Sequence, residues 1–478
     1  MKIRIIKKTN IKILEMKINL FRVIVMLFFC LGCMAQPEDK VEKIQQLLEA
    51  NVNSLKPFSG SILVAQNDKV IYRGAFGFAD IEKGIKNTVN SKYFIGSITK
   101  QFTTVAILQL IENRKLSFED KMSKWLPEIN GSDKISIHHL LTHQSGLRRD
   151  SHQDYDENVS HLERAMSIKN DTLLFEPGAK ETYSSVGFYV LTHIIEEASG
   201  MTYEEYFKEY IFKPAGMKNS GVRKKKGDNI LGLSIGMHKS PDEFGVDRLG
   251  YAKYFDSYSL AGGGALYSTV DDLFKFSSAL ESGKLVTKEM VLKMKQKWPI
   301  KEERKSSLYH SYGWEVRDYS HWKNPVKMYD FSGRIYGYKA MHRYYEKDGI
   351  VIIVLCNSDY SERSTLGWTI RNILLKGKSK LPKHAPKKIP FAESMKKHLG
   401  IYDFPSEETT VEIKIINGKM TLTSHGDNPI YIYPADEYTF YSDLIPLKIT
   451  FEPTTDGKTQ KLEFNHGDEF IKTIERKK

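Results

Sequence analysis

The segment FIGSITKQFT, residues 94–103, sets Ser97 three positions ahead of Lys100 at the head of a long apolar run. Residues i and i+3 of a helix share a face, so a helix beginning here brings the lysine amine beside the serine hydroxyl. The residues that follow, Phe102, Val105, Ala106, Ile107, Leu108, Leu110 and Ile111, are apolar on nearly every side and read as a helix running through the core. A lysine in the first turn of such a helix is stripped of water. Desolvation disfavours the ammonium form, leaving an amine able to take a proton from the serine. The helix start adds free N–H groups and the positive end of the dipole, which favour negative charge on Ser97 or on an acyl oxyanion. The implied chemistry is nucleophilic attack by Ser97 with Lys100 as its base. Spacing by itself is a weak signal, since Ser320 to Lys323 and Ser394 to Lys397 repeat it; there a serine cap with a snorkelling lysine is the reading.

Elements able to hold such a pair are legible around it. Strand patterns lie at both ends of residues 58–375 and helical patterns fill the middle, so the first and last strands are expected to share one sheet. The early hairpin is GSILVAQNDKVIYRGAFG, turning at Asn67 and Asp68. The late strands are VKMYDFSG, YKAMHRYY and GIVIIVLCN, with Glu346 to Gly349 as the turn between the last two. The intervening helices include SSVGFYVLTHIIEEASG, closed by Gly200 as a left-handed cap, and VDDLFKFSSAL, where Thr269 and Asp272 form a reciprocal capping box. This is an α/β (α+β) pattern: an antiparallel sheet flanked by helices, plus a helical subdomain. Residues 376–390, rich in Lys and Pro, read as a linker, and 391–478 as a small all-β barrel or sandwich that folds as its own unit.

The chain has 478 residues, 41% apolar and 27% charged, which excludes disordered and collagen-like classes and leaves room for more than one domain. Residues 1–35 are distinct: seven basic side chains lead into VIVMLFFCLG and then small residues, the pattern of an export signal. Its apolar run is shorter than a bilayer span. Cleavage after Ala35 is the preferred reading and lipidation of Cys33 the alternative, giving a periplasmic or secreted protein or a membrane-anchored lipoprotein. The segment holds +6 of the formal +12, leaving +6 on the remainder. No nucleic acid partner is implied, and the run Arg223 to Lys226 reads as solvated loop charge. Of three cysteines only Cys356, in an apolar strand, is certain to remain, so no disulfide framework is expected.

Residues 58–375 carry, in order, FSGSILVAQNDKVIYRGAFGFAD, FIGSITKQFT, KLSFEDKMSKWLPEI, ISIHHLLTHQSGL, EPGAKETYSSVGFYVLTHIIEEASGMTYEEY, IFKPAGMKNS, AGGGALYSTVDDLFKF and FSGRIYGY. This succession closely resembles the serine β-lactamase and D-alanyl-D-alanine peptidase superfamily, in particular its class C β-lactamase, esterase and D-aminopeptidase branch. The resemblance implies a β-lactamase/transpeptidase-like fold for 36–375. It also implies that Ser97 is the acylated nucleophile, Lys100 its base or proton relay, and Tyr183 the phenol that passes a proton to the leaving group, with its phenolate favoured by neighbouring amines. The amides of Ser97 and Arg334 would form the oxyanion hole. Two positions depart from the pattern: the second motif ends in Ser185 where Asn is usual, and the third reads Phe331-Ser332-Gly333 where Lys or His is usual. Ser185, Phe331, Ser332, Gly333 and Arg334 are the expected substrate-binding residues. With no cation at Phe331, an ester or amide lacking a critical carboxylate is the expected substrate, a small molecule or peptide. His139 and His143 stand four apart, as metal ligands do, but fall in the family's LLTH-x-SGL segment with no third ligand, so no metal and no cofactor is expected. Esterase, peptidase and β-lactamase activities remain open, as does a non-catalytic relative that binds a cell-wall or peptide ligand.

Overall fold

The computed structural model describes residues 36–52, 57–154, 159–223, 228–241, 245–252, 257–302, 308–320, 325–359, 361, 363–377, 387–404, 409–424, 429–442, 447–453, 459–466 and 471–476. The segment expected to direct export, residues 1–35, and most of the expected linker at 376–390 lie outside the described residues. No helix among them is long and apolar enough to cross a membrane.

Asn67 and Asp68 both take positive φ, 50° and 58°, the backbone that a two-residue primed turn requires. They join β1 (Gly60–Gln66) to β2 (Lys69–Phe76). A second hairpin, β3 (Met237–Pro241) and β4 (Asp247–Tyr251), interrupts the helical middle of the chain. The meander β5 (Leu308–Ser311), β6 (Trp314–Tyr319), β7 (Val326–Ile335), β8 (Tyr338–Tyr345) and β9 (Ile350–Cys356) then completes a seven-stranded sheet in the order β5-β6-β7-β8-β9-β1-β2. β9 pairs antiparallel with β1 from Gly60 opposite Cys356 to Gln66 opposite Ile350, so the two ends of the domain do share a sheet.

Period-two alternation splits these strands between two cores. Ile62, Val64, Met328, Met341, Ile352 and Val354 face α1 (Gln36–Val52) and the last helix of the domain, Arg363–Lys376. Leu63, Phe331, Ala340, Ile353 and Leu355 face the helical side, where α2 (Thr99–Glu112), α3 (Val186–Ser199) and α4 (Val270–Glu281) gather. There Phe102 stacks on Phe276 at 4.1 Å and binds α2 to α4. Gly200 closes α3 in the left-handed conformation, φ 74°. Thr269 caps α4 by accepting from the Asp272 N–H, but the reciprocal bond does not form. The Asp272 carboxylate accepts instead from the Asn219 N–H at 2.6 Å and the Ser220 hydroxyl at 3.1 Å. A tertiary donor displaces the local one.

Beyond residue 390, nine short strands among the described residues enclose an apolar interior of Tyr402, Val411, Ile413, Leu422, Phe451 and Leu462 among others. These C-terminal strands curl back, since the first and last of them in the sheet order, Tyr433–Pro434 and Ile430–Tyr431, are neighbours in the chain. The sheet is not confined to the C-terminal region: Ile430 pairs in parallel with Asp247, so the β3–β4 hairpin of the preceding domain joins it. The boundary expected at the linker is therefore crossed by one backbone strand pair. Removing 391–478 should raise hydrogen exchange across Met237–Tyr251 relative to the seven-stranded sheet; unchanged protection there would make the terminal sheet irrelevant to the hairpin.

Candidate active site

Ser97 sits in a short 3-10 turn, Gly96–Ile98, that leads directly into α2. Two glycines let this turn touch the end of β7. Gly96 has φ 50°, and a Cβ there would lie 2.9 Å from the Arg334 nitrogen. A Cβ on Gly333 would meet the Ile95 carbonyl at 1.8 Å. Only bare backbone fits on both sides, and the fit brings the main chain of Arg334 against the turn that carries Ser97.

Lys100, one turn into the apolar helix, is 0% exposed. Its Nζ lies 3.4 Å from Ser97 Oγ and donates to the Gly263 carbonyl at 2.6 Å. Burial brings its pKa down to about 7, with the Arg149 charge pushing the same way and Asp150 opposing. A large share of the amine is thus unprotonated at neutral pH. Tyr183 donates its hydroxyl hydrogen to Ser97 Oγ at 2.8 Å. Burial pushes the Tyr183 pKa up against the effect of that bond, so the residue remains a phenol. The loss of water outweighs the neighbouring positive charge that favours a phenolate.

Behind Tyr183 its ring stacks on His143, centroids 4.5 Å apart and planes 25° from parallel. His143 accepts the Ser184 N–H at Nδ1, 3.0 Å, and burial holds its pKa well below the usual value. His310 packs edge-on to His143 at 4.7 Å and is tied to Glu181 through Nδ1 at 2.7 Å. An aromatic wall therefore fixes the phenol. His139 serves a different purpose, in the capping box of Ser136, and no group of His, Cys, Asp and Glu suited to a metal occurs among the described residues.

Ser97 opens onto a cavity of about 310 Å³, bordered also by Ser185, Tyr189, His238, Arg334 and Asp359. That is at the small end of the range for small-molecule sites. Ser185 lies at the head of α3, its N–H bonded to the Arg149 carbonyl at 2.7 Å.

The third motif requires correction. Phe331, Ser332 and Gly333 do not border the cavity; of that stretch only Arg334 and its successors do. Phe331 is 1% exposed and belongs to the core beneath the site, while Ser332 alternates to the opposite face and Gly333 serves the close backbone approach. The position is a packing position. Phe331→Lys should accordingly cost about 3 kcal/mol or more of stability, because it buries a charge without a partner where a ring was packed. Chemical denaturation checks this, and an unchanged midpoint would contradict it.

Arg149, His238 and Asp359 also border the cavity. No local pattern marks the last two, which lie 121 residues apart and meet only in the fold, His238 Nδ1 bonding Asp359 Oδ2. Arg149 lies 5.0 Å over the Tyr183 ring and pairs with Asp150 at 3.4 Å.

Comparison with known proteins agrees with this fold. The chain is 26% identical over 461 residues to a penicillin-binding protein of Bacillus subtilis (strain 168), covering 90% of this chain and 98% of that one. It is 34% identical over 191 residues to a teichoic acid D-alanine hydrolase of Staphylococcus aureus (strain MRSA252), covering 40% of this chain and 46% of the relative. Among solved structures, the octameric penicillin-binding protein homologue from Pyrococcus abyssi superposes with a TM-score of 0.61 at 25% identity, over 91% of this chain and 100% of that one. The D-amino acid amidase from Ochrobactrum anthropi SV3 has the same fold, with a TM-score of 0.60 at 20% identity over 71% of this chain and 98% of that one. With the beta-lactamase family model matching residues 44–375, the whole span that carries Ser97, Lys100 and Tyr183, the chain belongs to the beta-lactamase family.

Proposed function

We propose that this protein is an exported serine hydrolase that cleaves an ester or amide through an acyl-enzyme on Ser97. The observation that carries the reading is the buried amine of Lys100, 3.4 Å from a serine hydroxyl that also accepts from Tyr183 at 2.8 Å. The neutral Lys100 takes the Ser97 proton as Oγ attacks the substrate carbonyl. The amides of Ser97 and Arg334 receive the developing oxyanion. Tyr183 gives its proton to the departing alcohol or amine and is reprotonated from the Lys100 ammonium, so the charge returns to its starting point. Water then releases the acyl group by the reverse relay. Two similar proteins are named for hydrolysis of D-alanine from teichoic acid and of D-amino acid amides, which supports a small acyl group on an ester or amide bond.

Export rests on the basic and apolar pattern of residues 1–35, with release after Ala35 or tethering through a lipidated Cys33. Intact mass after exposure to a fluorophosphonate tests the catalytic reading: one adduct, mapped to Ser97, is expected, and an unlabelled folded chain overturns it.

A further inference from the structure

Backbone contacts fasten Arg149 beside the phenol of Tyr183. The Arg148 carbonyl accepts from the Ser184 hydroxyl at 2.7 Å, and the Arg149 carbonyl accepts from the Ser185 N–H at 2.7 Å. These two carbonyls clasp the residues that directly follow Tyr183, and the Arg149 guanidinium lies over the Tyr183 ring, 5.0 Å from its centroid. Nε of the same side chain pairs with Asp150 at 3.4 Å. The side chain borders the cavity next to Ser97 and is 69% exposed, so it brings charge to this place and little to the core.

Tyr183 needs such a charge. Once its proton has gone to a departing alcohol or amine, a buried phenolate remains until the Lys100 ammonium returns one. Burial raises the Tyr183 pKa, and Glu315 and Asp150 add to the rise; the Ser97 bond and the Arg149 charge oppose it. His143, stacked on the ring at 4.5 Å, is held well below its usual pKa by burial, and His310 lies 5.6 Å from the ring with Glu181 as its partner. Among the described residues two cations stand over the ring, Lys100 Nζ at 5.1 Å and Arg149. Lys100 gains and loses its charge within each cycle, whereas a guanidinium keeps its own. The β7 position where a cation is usual adds none, because Phe331 lies in the core.

We propose that Arg149 is a positioning residue for the proton transfer at Tyr183: clasped beside the ring, it supplies the fixed positive charge that offsets the phenolate formed as the carbonyl bond to the leaving group breaks. The inference rests on the serine hydrolase reading and adds a residue to its proton path. Lys100 takes the Ser97 proton, Tyr183 gives its own to the leaving atom, and Lys100 returns one to the phenolate, so the count closes and Arg149 exchanges none. Burial favours the neutral Lys100 that starts the cycle; Asp150 opposes this, and the like charge of Arg149 supports it. A substrate in the cavity displaces water that screens the guanidinium, so the effect is greatest during the reaction.

The first test compares kcat/KM for p-nitrophenyl acetate and trifluoroethyl acetate, which share an acyl group but differ in how far the leaving oxygen depends on a proton donor. Arg149→Met should lower the trifluoroethyl rate by about threefold or more beyond any change in the p-nitrophenyl rate, because a weaker acid costs most where the leaving group is poorest. Arg149→Lys should restore most of that ratio. An unchanged ratio in Arg149→Met overturns the proposal. The second test needs no turnover: Tyr183→trifluorotyrosine, close to tyrosine in size, is titrated by fluorine NMR in the full-length chain. Adding Arg149→Met should raise the phenol pKa by about half a unit or more, the effect of an opposite charge at this distance reduced by exposure. Equal titration with and without Arg149 overturns the charge coupling whether or not any ester is hydrolysed. A raised titration in a chain that hydrolyses neither acetate and takes up no fluorophosphonate refutes the hydrolase reading and leaves the coupling standing.

Discussion

Ser97→Ala should lower turnover of an activated ester such as p-nitrophenyl acetate by about three decades or more, because no acyl-enzyme can form without the Oγ. The fold should persist. Ser97 lies on a 3-10 turn whose approach to β7 depends on Gly96 and Gly333, and its hydroxyl is the acceptor of Tyr183 and Lys100 without being a core-filling group. The residual rate reports what the Ser97 and Arg334 amides and the cavity supply on their own. Stopped assays with and without prior fluorophosphonate labelling make the comparison on one preparation. Equal rates for parent and mutant would end the acyl-enzyme mechanism.

Lys100→Met should reduce the same rate by about 10² to 10⁴, the range for a positioned base, and its effect on stability should run the other way with a distinct pH signature. The folded-state pKa of Lys100, about 7, lies below the ordinary value of 10.5. Between those two values the unfolded chain binds a proton that the folded chain lacks, so stability of the parent rises with pH across that window. The penalty is largest at and below pH 7 and vanishes above 10.5. Methionine carries no such proton. The stability difference between Lys100→Met and the parent should therefore move in the parent's favour by about 4 to 5 kcal/mol from pH 7 to 10.5, read by denaturant unfolding at several pH values. The loss of the bond to the Gly263 carbonyl shifts both ends of that comparison equally. In parallel, kcat/KM of the parent should rise with pH through about 7 as the amine becomes free. A flat profile with a flat stability difference would show that Lys100 stays charged, and would remove it as the base.

These two side chains were legible before any coordinates because their relation is local. Positions i and i+3 of one helix meet whatever the rest of the chain does, and the unbroken apolar run after Lys100 announces its burial. The hairpin at Asn67 and Asp68 and the Gly200 cap were legible for the same reason, since a few consecutive residues determine each. Tyr183 was within reach only through its motif; its distance to Ser97 is set by how α2 and α3 pack. Phe331 shows the opposite case. Its place in the third motif pointed to the pocket, but sheet alternation directs its ring into the core. Asp272 likewise left its expected capping box when Asn219 and Ser220 supplied donors from another segment.

His238 and Asp359 had no sequence signal at all. Neither belongs to a periodic pattern, and they meet only because β3 is seated beside the end of β9 and the terminal sheet takes up the other edge of the hairpin. By itself the sequence determined that Ser97 and Lys100 meet at the head of a buried helix, and the strands and helices around them, because short-range geometry and burial patterns are written in neighbouring residues. The tertiary structure alone decided which charges face the cavity, because that depends on strand alternation, register and the close approach of distant backbones.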